Sequence, residues 1–512
     1  MALQVMSLIQ STCQKLKGVT LNALTGTLRK GGSSRVLRGP KGLPVLGNSI
    51  ELDASQAHQL FTRWSKQYGK IFRLKVFGKN VVVISDANTL RAAFSSGALG
   101  KHLNDRAENI TKEVFYGRKH MGFANLNDQT VFLRNVLRRK VLHYQMCNSI
   151  FVEACSTTIS NFAMNLNNGA ETIDPDALIK EFLTQLNSTI LIGESLPDDD
   201  PEVEALWEFI DSLYRLLPPS IDAPLRAFPC LRHLPIKHGR YFRSAIDARD
   251  RVTRRYFDTQ KSTYKEGHLR GLIDICLRIQ QQALATSGTS WLTDDYIKGL
   301  MLDTVVAGMS EMIKSIRMLI LLMCRHQDVQ SRVNTEIRDV IGPVGTPSTN
   351  HREAMTYTQA VIMEMLRYVS QTPLAIPHKC NEDVVLDGYA ILKDTAILPN
   401  IWGIHHDEDV WGDPWDFRPE RFLCAEDGKK LLPADHKFMK TLIPFSVGKR
   451  RCPGEDFAMS RLFLVLTSLL QHLHFRPPEG EEFPSVDPRH YIREYPYPLP
   501  LYKCRVEVRI DC

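Results

Sequence analysis

Phe445-Ser-Val-Gly448-Lys-Arg450-Arg-Cys452-Pro-Gly454 is the stretch that decides how this chain is read. One cysteine stands among glycine, arginine and proline, and an apolar helical pattern follows at once, from Gly454 to about His472. A helix N-terminus favours negative charge at its start. Gly448 and Gly454 let the backbone approach a flat group closely. Pro453 stiffens the turn and removes a donor. A deprotonated thiol held this way is a candidate axial ligand for haem iron, one that favours O–O cleavage. Arg450 is a planar partner for a haem propionate. The plainer alternative is a buried structural cysteine ahead of a helix.

The rest of the composition bounds this reading. The chain has 512 residues, 43% hydrophobic and 24% charged, enough for a large core. Length alone suggests roughly three domains. The net charge of +7 is modest for this length. It points to no nucleic-acid partner, which would need a clustered basic stripe. Eleven cysteines are scattered without a C-x-x-C pair, which argues against a zinc or thioredoxin-like site. Irregular spacing in a large chain fits a reducing compartment, with most cysteines as small buried hydrophobes. Residues 1–38 mix Lys15, Lys17, Arg29, Lys30 and Arg35 with short apolar stretches, and no acidic residue precedes Glu51. No run there reaches about 18 apolar residues, so a membrane-spanning helix is not expected. The segment reads as a targeting peptide or an amphipathic membrane-surface segment, with a disordered tail as the alternative.

Gly39-Pro-Lys-Gly-Leu-Pro-Val-Leu-Gly47 reads as a stiff, turning linker. A helical pattern over His58–Tyr68 follows. Ile71–Phe77 and Asn80–Ser85 then read as strands around a Gly78-Lys-Asn turn. From about Ala87 to Gln371 the period is helical, most clearly over Val131–Tyr144, Asp176–Ile192, Tyr241–Lys265, Asp294–Cys324 and Thr358–Val369. Strand patterns return after Pro373, with Asp387-Gly388 as a hairpin turn between Val384-Val-Leu and Tyr389-Ala-Ile. Strands at both ends that pair with each other would make one unit. The expected fold is mainly α with a small β region (α+β). It comprises the segment 1–38 and one catalytic domain over 39–512.

Glu364 and Arg367 lie three apart on one helix face and can pair. Their surroundings are apolar, and a buried pair needs further partners. Arg421, in Pro419-Glu-Arg421-Phe422, is a candidate.

Phe445, Gly448, Arg450, Cys452 and Gly454 resemble the haem-binding signature of the cytochrome P-450 superfamily, and the chain is similar to eukaryotic microsomal-type members. The resemblance runs in order from about Gly39 to the C-terminus. It implies haem b (iron protoporphyrin IX) with Cys452 as iron ligand. The haem would lie between a long distal helix and the cysteine-loop helix, with Phe445 packed by the ligand. It implies a structural network of Glu364, Arg367 and Arg421 behind the haem. The Gly39–Gly47 linker resembles the family's proline-rich hinge, and Asp105-Arg106 a segment before its third helix. Thr130 to Arg134 lies where members have Trp-x-x-x-Arg, so only Arg134 carries over, toward a propionate. His378 lies where members place an Arg or His near a propionate, with a satisfied polar residue as the alternative.

The distal helix departs from the pattern. Members usually show Ala/Gly-Gly-x-Asp/Glu-Thr-Thr, and this chain reads Ala307-Gly308-Met309-Ser310-Glu311-Met312. Ala307 and Gly308 match, and Gly308 would leave room for oxygen. Acid and alcohol are both present, as Ser310 and Glu311, but in swapped order. Adjacent helix positions are rotated by about 100°, so each group moves to another face. Three readings stand. Ser310, Glu311 and water relay protons; the relay is lost and an already oxidised substrate is rearranged; or Glu311 merely pairs with Lys314. Met309 and Met312 would narrow the pocket.

The function this implies is a haem-thiolate monooxygenase acting on a hydrophobic small molecule of the steroid, fatty-acid or xenobiotic class. The alternatives are an isomerase or dehydratase of a hydroperoxide or endoperoxide, and a non-catalytic haem sensor. No flavin or nicotinamide domain is visible, so electrons would come from an NADPH-dependent reductase, or a ferredoxin in a mitochondrion. Lys437, Lys440, Lys449 and Arg451 would form a basic proximal face for it. Glu455-Asp456 and the hinge point to the cytoplasmic face of the endoplasmic reticulum membrane. The N-terminal composition keeps the mitochondrion as the alternative.

Overall fold

Two short turns set the first sheet. β1 (Ile71–Val76) and β2 (Lys79–Ile84) pair antiparallel, Ile71 opposite Ile84 and Val76 opposite Lys79. The turn is Phe77-Gly78, one residue earlier than expected, because Lys79 already pairs. Both turn residues have positive φ, 47° and 76°, as a two-residue type I′ hairpin requires. Alternation along the hairpin divides two cores. Phe72, Leu74, Val81 and Val83 pack with Phe61 and Trp64 of the helix Ala57–Tyr68. Ile71, Val82 and Ile84 pack with Leu90, Phe94 and Ile397.

The computed structural model describes residues 35–53, 56–95, 97–141, 145–166, 169–196, 200–490 and 500–509. Of the expected targeting or membrane-surface segment 1–38, residues 1–34 lie outside these. Gly39 lies on β1: a Cβ there would stand 1.8 Å from Arg73 O. Arg73 N donates to Arg38 O at 2.9 Å and Asn48 N to Lys75 O at 2.7 Å. The stiff, turning linker is thus laid along the edge of β1. Among the described residues, no helix is long and apolar enough to cross a membrane.

The remaining strands are β3 (Asp105–Arg106), β4 (Ala170–Ile173), β5 (His378–Lys379), β6 (Val384–Leu386), β7 (Tyr389–Ile391), β8 (Ala396–Pro399), β9 (Leu473–Arg476) and β10 (Cys504–Val508). The main sheet has the order β1-β2-β8-β5-β3, with β2 and β8 parallel. It joins residues 71–84 to residues 378–399. A second sheet, β4-β10-β9, was not foreseen, and β6-β7 closes through Asp387-Gly388 at φ 50° and 78°.

Between the sheets lies a helical body with one continuous core. Its helices include Pro175–Ile192, Pro201–Tyr214, Lys237–Val252, Leu272–Ser287, Gln327–Val340, Thr356–Val369 and Glu455–His472. The longest runs through it as Asp294–Val305, a π-turn over Val306–Ser310, and Glu311–Arg325. Such π-turns are frequent at functional sites. The chain is mainly α with a small β region, as expected.

Candidate active site

The cysteine loop is built by close backbone approach. Cys452 N donates to Phe445 O at 2.9 Å, which folds the loop back on itself. Gly448 has φ 77°, and a Cβ there would stand 2.3 Å from Phe94 O, so only glycine fits. Gly454 opens the helix Glu455–His472 with an ordinary φ of −100°. Phe445 and Cys452 are half-buried. Burial pushes the Cys452 thiol up, while the backbone at Gly454 and the charge of Arg134 pull it back. The net rise means the protein alone does not make this group a thiolate. Coordination to a metal cation deprotonates a thiol outright.

Beside the loop lies a cluster of guanidinium groups. Arg450 is buried and donates through Nη2 to Gly122 O (3.2 Å) and Ala124 O (2.6 Å). Its Nε and Nη1 are buried without hydrogen-bond partners. Burial, then Arg134, brings it down to about 10. Arg106 on β3 donates to Gly122 O (3.1 Å) and Ile376 O (2.9 Å). Burial, then Arg450 and Arg134, holds it well below the usual arginine range. Arg134 donates to Arg451 O of the loop. Thr130, where a tryptophan is usual, is spent in the capping box with Asn127. His378 stacks on Phe94 at 3.9 Å, and its Nδ1 is 2.9 Å from Leu103 O. Burial and then Arg106 depress it, so it is neutral. Buried cations that repel one another, one with unpaired nitrogens, fit a ligand carrying carboxylates. Haem propionates are such carboxylates, and Cys452, two residues from Arg450, is a thiol that would serve the haem iron. The residues present fit the group.

On the long helix one stripe is left open. Ala307 is exposed although Val305 and Met309 are buried. Glu311, four residues on and hence on the same face, has a side chain 34% exposed. The charge of Glu311 adds a minor upward push to the Cys452 thiol. Met309 and Met312 are buried in the main core. Gly308 faces the helix Pro175–Ile192, where a Cβ would meet Asn187 Oδ1 at 2.8 Å. Close helix packing accounts for that glycine, and the open position is Ala307. Ser310 Oγ bonds back to Val306 O at 2.6 Å, inside the π-turn. Lys314 Nζ donates to Glu311 Oε1 at 2.9 Å. Tyr214, Gln371 and Thr372 also donate to that carboxylate, at 3.0, 3.3 and 3.3 Å. Burial alone would raise the Glu311 carboxyl; Lys314 and the hydrogen bonds outweigh it and keep it ionised.

Residues 37–500 match the family model for cytochrome P450. The chain belongs to the cytochrome P450 family. It is 28% identical to cytochrome P450 2D27 of Mesocricetus auratus over 466 residues, 89% of this chain and 90% of the relative. It is 26% identical to the steroid 17-alpha-hydroxylase/17,20 lyase of Ictalurus punctatus, over 87% of this chain and 86% of that one. Against human cytochrome P450 2D6 the identity is 28%, over 89% and 91%. As a cytochrome P450 the protein is an oxidoreductase that uses haem iron.

This P450 also holds a buried ionic cluster. Glu364, Arg367 and Arg421 have fully buried side chains. Arg367 grips Glu364 twice, at 2.7 and 2.8 Å, and Arg421 Nε adds a third bond at 3.1 Å. The remaining guanidinium protons go to backbone oxygens: His405 and Pro414 for Arg367, Trp411, Asp413 and Asp416 for Arg421. Full satisfaction is what a buried ion pair needs. The cluster reaches the cysteine loop through His405, whose Nε2 accepts from Ile443 N at 2.9 Å. Arg106, Tyr214 and His405 were not singled out as site residues from sequence. Their partners lie 16 and 270 positions away (Arg106 with Gly122 and Ile376), 35 and 38 (His405 with Ser370 and Ile443), and 96 and 97 (Tyr214 with Ser310 and Glu311), too far for a local window to pair them.

Proposed function

We propose that this P450 binds haem b through Cys452 and inserts one oxygen atom of O2 into a hydrophobic small molecule. The observation that carries this is the Cys452 loop itself, with Arg450 two residues before the thiol holding two buried nitrogens without hydrogen-bond partners, and Ala307 and Glu311 left open on the long helix. Haem supplies, when bound, the redox chemistry and the capacity to cleave an O–O bond. The chain supplies position and protons. Arg450, Arg106, Arg134 and neutral His378 would hold the propionates. Ala307 would leave room beside the group. Glu311 holds its partly exposed carboxylate on the same helix face as Ala307, where Oε1 and Oε2 would take up and release protons. The Glu364 cluster fixes the loop that carries the ligand.

A steroid 17-alpha-hydroxylase/17,20 lyase among the relatives supports a steroid within the steroid, fatty-acid or xenobiotic range. Lys437, Lys440, Lys449 and Arg451 are all exposed around the loop, although Arg451 is paired with Glu455. They favour an acidic NADPH-dependent reductase as electron donor. Leu43, Val45, Ile50 and Phe77 are exposed apolar side chains near the start of the domain. They support contact with a membrane surface, which we assign to the endoplasmic reticulum.

The test is turnover with a reductase and NADPH, together with the reduced carbon monoxide difference spectrum. Hydrophobic candidates are expected to consume NADPH and give oxygenated product. Cys452→Ala is expected to lose the red-shifted thiolate band. A protein that rearranges a hydroperoxide but never consumes NADPH with any reductase is an isomerase, and retention of the band in Cys452→Ala removes the ligand assignment.

A further inference from the structure

Ser310 and Glu311 are neighbours in the chain, yet Ser310 Oγ and Glu311 Oε1 are 3.5 Å apart. That is too long for a firm O–H···O bond. Another helix fills the gap. Tyr214 is the last residue of Pro201–Tyr214. Its phenol oxygen lies 2.6 Å from Ser310 Oγ and 3.0 Å from Glu311 Oε1. Lys314 Nζ stands 4.8 Å from the centre of its ring and 3.5 Å from its oxygen.

We propose that Tyr214 is a positioning residue of the distal proton relay, the hydroxyl that joins Ser310 to Glu311. The inference rests on the oxygenase reading above and deepens it. The chain swaps acid and alcohol on the distal helix, and the bridge that the swap breaks is supplied by the end of a second helix.

The proton count supports a relay over a static clasp. Two hydroxyl protons, on Ser310 and Tyr214, serve three acceptor positions: Val306 O, the facing hydroxyl and Glu311 Oε1. Two settings satisfy the geometry. In one, Ser310 donates to Val306 O and Tyr214 to Ser310. In the other, Ser310 donates to Tyr214 and Tyr214 to Glu311. Delivery from the second setting forms an O–H bond at Glu311 Oε1 as the Tyr214 O–H breaks. The Ser310 proton passes to the Tyr214 oxygen, and a hydronium ion from solvent restores Ser310 as its own O–H bond breaks and leaves water. One proton enters at Ser310, one arrives at Glu311, and no electrons move. Burial, then the charge of Glu311, pushes the Tyr214 phenol above its ordinary range, so it carries the proton it passes on. Lys314 keeps Glu311 ionised and ready to accept.

Tyr214→Phe in the haem-loaded full chain deletes the hydroxyl and keeps the ring and its contact with Lys314. The first readout needs no turnover: the C–O stretching band of the reduced, carbon-monoxide-treated protein, which senses distal proton donors. Tyr214→Phe and Glu311→Gln are each expected to shift the band, and the double variant to shift it no further than Glu311→Gln. The second readout is peroxide released per NADPH consumed. It is expected to rise in Tyr214→Phe as product formation falls on the order of 10-fold, below the full contribution of a positioned proton donor. Ser310→Ala removes the other side of the bridge and decides the matter if Tyr214→Phe does not load haem; it is expected to reproduce both changes. An unmoved band and unchanged coupling in a haem-loaded variant overturn the inference. If wild-type protein consumes no NADPH with any reductase, the oxygenase reading falls separately, and the C–O band still decides whether Tyr214 bridges.

Discussion

Glu311 is held by opposing forces that a single substitution can separate. Its side chain is 34% exposed and that of Lys314 only 15%. Burial raises the carboxyl, and the Lys314 ammonium more than reverses this. Lys314→Met leaves the carboxylate without its cation. The expected loss is about 1–3 kcal/mol, below the range for a fully buried pair because Glu311 is partly open. Denaturant unfolding of Lys314→Met, Glu311→Gln and the double variant checks it. The double is expected to recover most of the loss, and an additive result would show that the pair is not coupled. What could be read here in advance was the chemistry carried by neighbouring letters. Cys452 and Arg450 stand in one loop, and Ser310, Glu311 and Lys314 in one helix. Tyr214 is an ordinary letter in its own segment, and Arg106, though its segment resembles the family's, carries no local sign of its partners; only tertiary folding brings both to the site.

At the level of elements, the π-turn and the helix beneath it are fitted to each other. Gly308 meets Asn187 so closely that a methyl group would stand 2.8 Å from Oδ1. Gly308→Ala is expected to cost about 1–3 kcal/mol, the usual range for overpacking. In an Asn187→Ala background the same change is expected to cost less. Urea unfolding of the four-member cycle measures the difference, and equal costs in both backgrounds would show that Asn187 is not the obstacle. Helices were legible where the period ran long, as in Thr356–Val369 and Glu455–His472. The Asp387-Gly388 hairpin was legible because its turn chemistry is local. β4, β9 and β10 are strands of four or five residues whose partners lie far along the chain. A short strand paired at long range leaves little trace in its own window. Even Gly308 was readable as a requirement but not for its reason, since the letter does not name the neighbour.

Across the whole molecule, the Glu364 cluster, the cysteine loop and the body of helices are tied through histidines that must stay neutral. His405 shows why. Its Nε2 accepts from Ile443 N, so the ring proton sits on Nδ1 and goes to Ser370 Oγ at 2.8 Å. A second proton would face the Ile443 N–H and lose the anchor of the loop. Burial, then His406 and Arg367, depresses His405 well below the ordinary histidine range. Burial brings His58 down to about 3. In the unfolded chain both bind a proton near pH 6.5, and in the folded chain neither does. The unfolded state therefore binds more protons as pH falls below about 6.5, and stability falls with it. The contribution is fully present above that pH and is lost progressively toward the folded-state values. Each histidine removes up to about 1.4 kcal/mol per pH unit. Unfolding free energies of wild-type protein measured from pH 7.5 to 5 are expected to drop below pH 6.5. His405→Asn keeps an acceptor near Ile443 but cannot titrate. Its slope in that window is expected to be shallower by about 1.4 kcal/mol per pH unit. An unchanged slope would mean that His405 already carries its second proton in the folded protein, and the hydrogen bond from Ile443 would have to be reassigned.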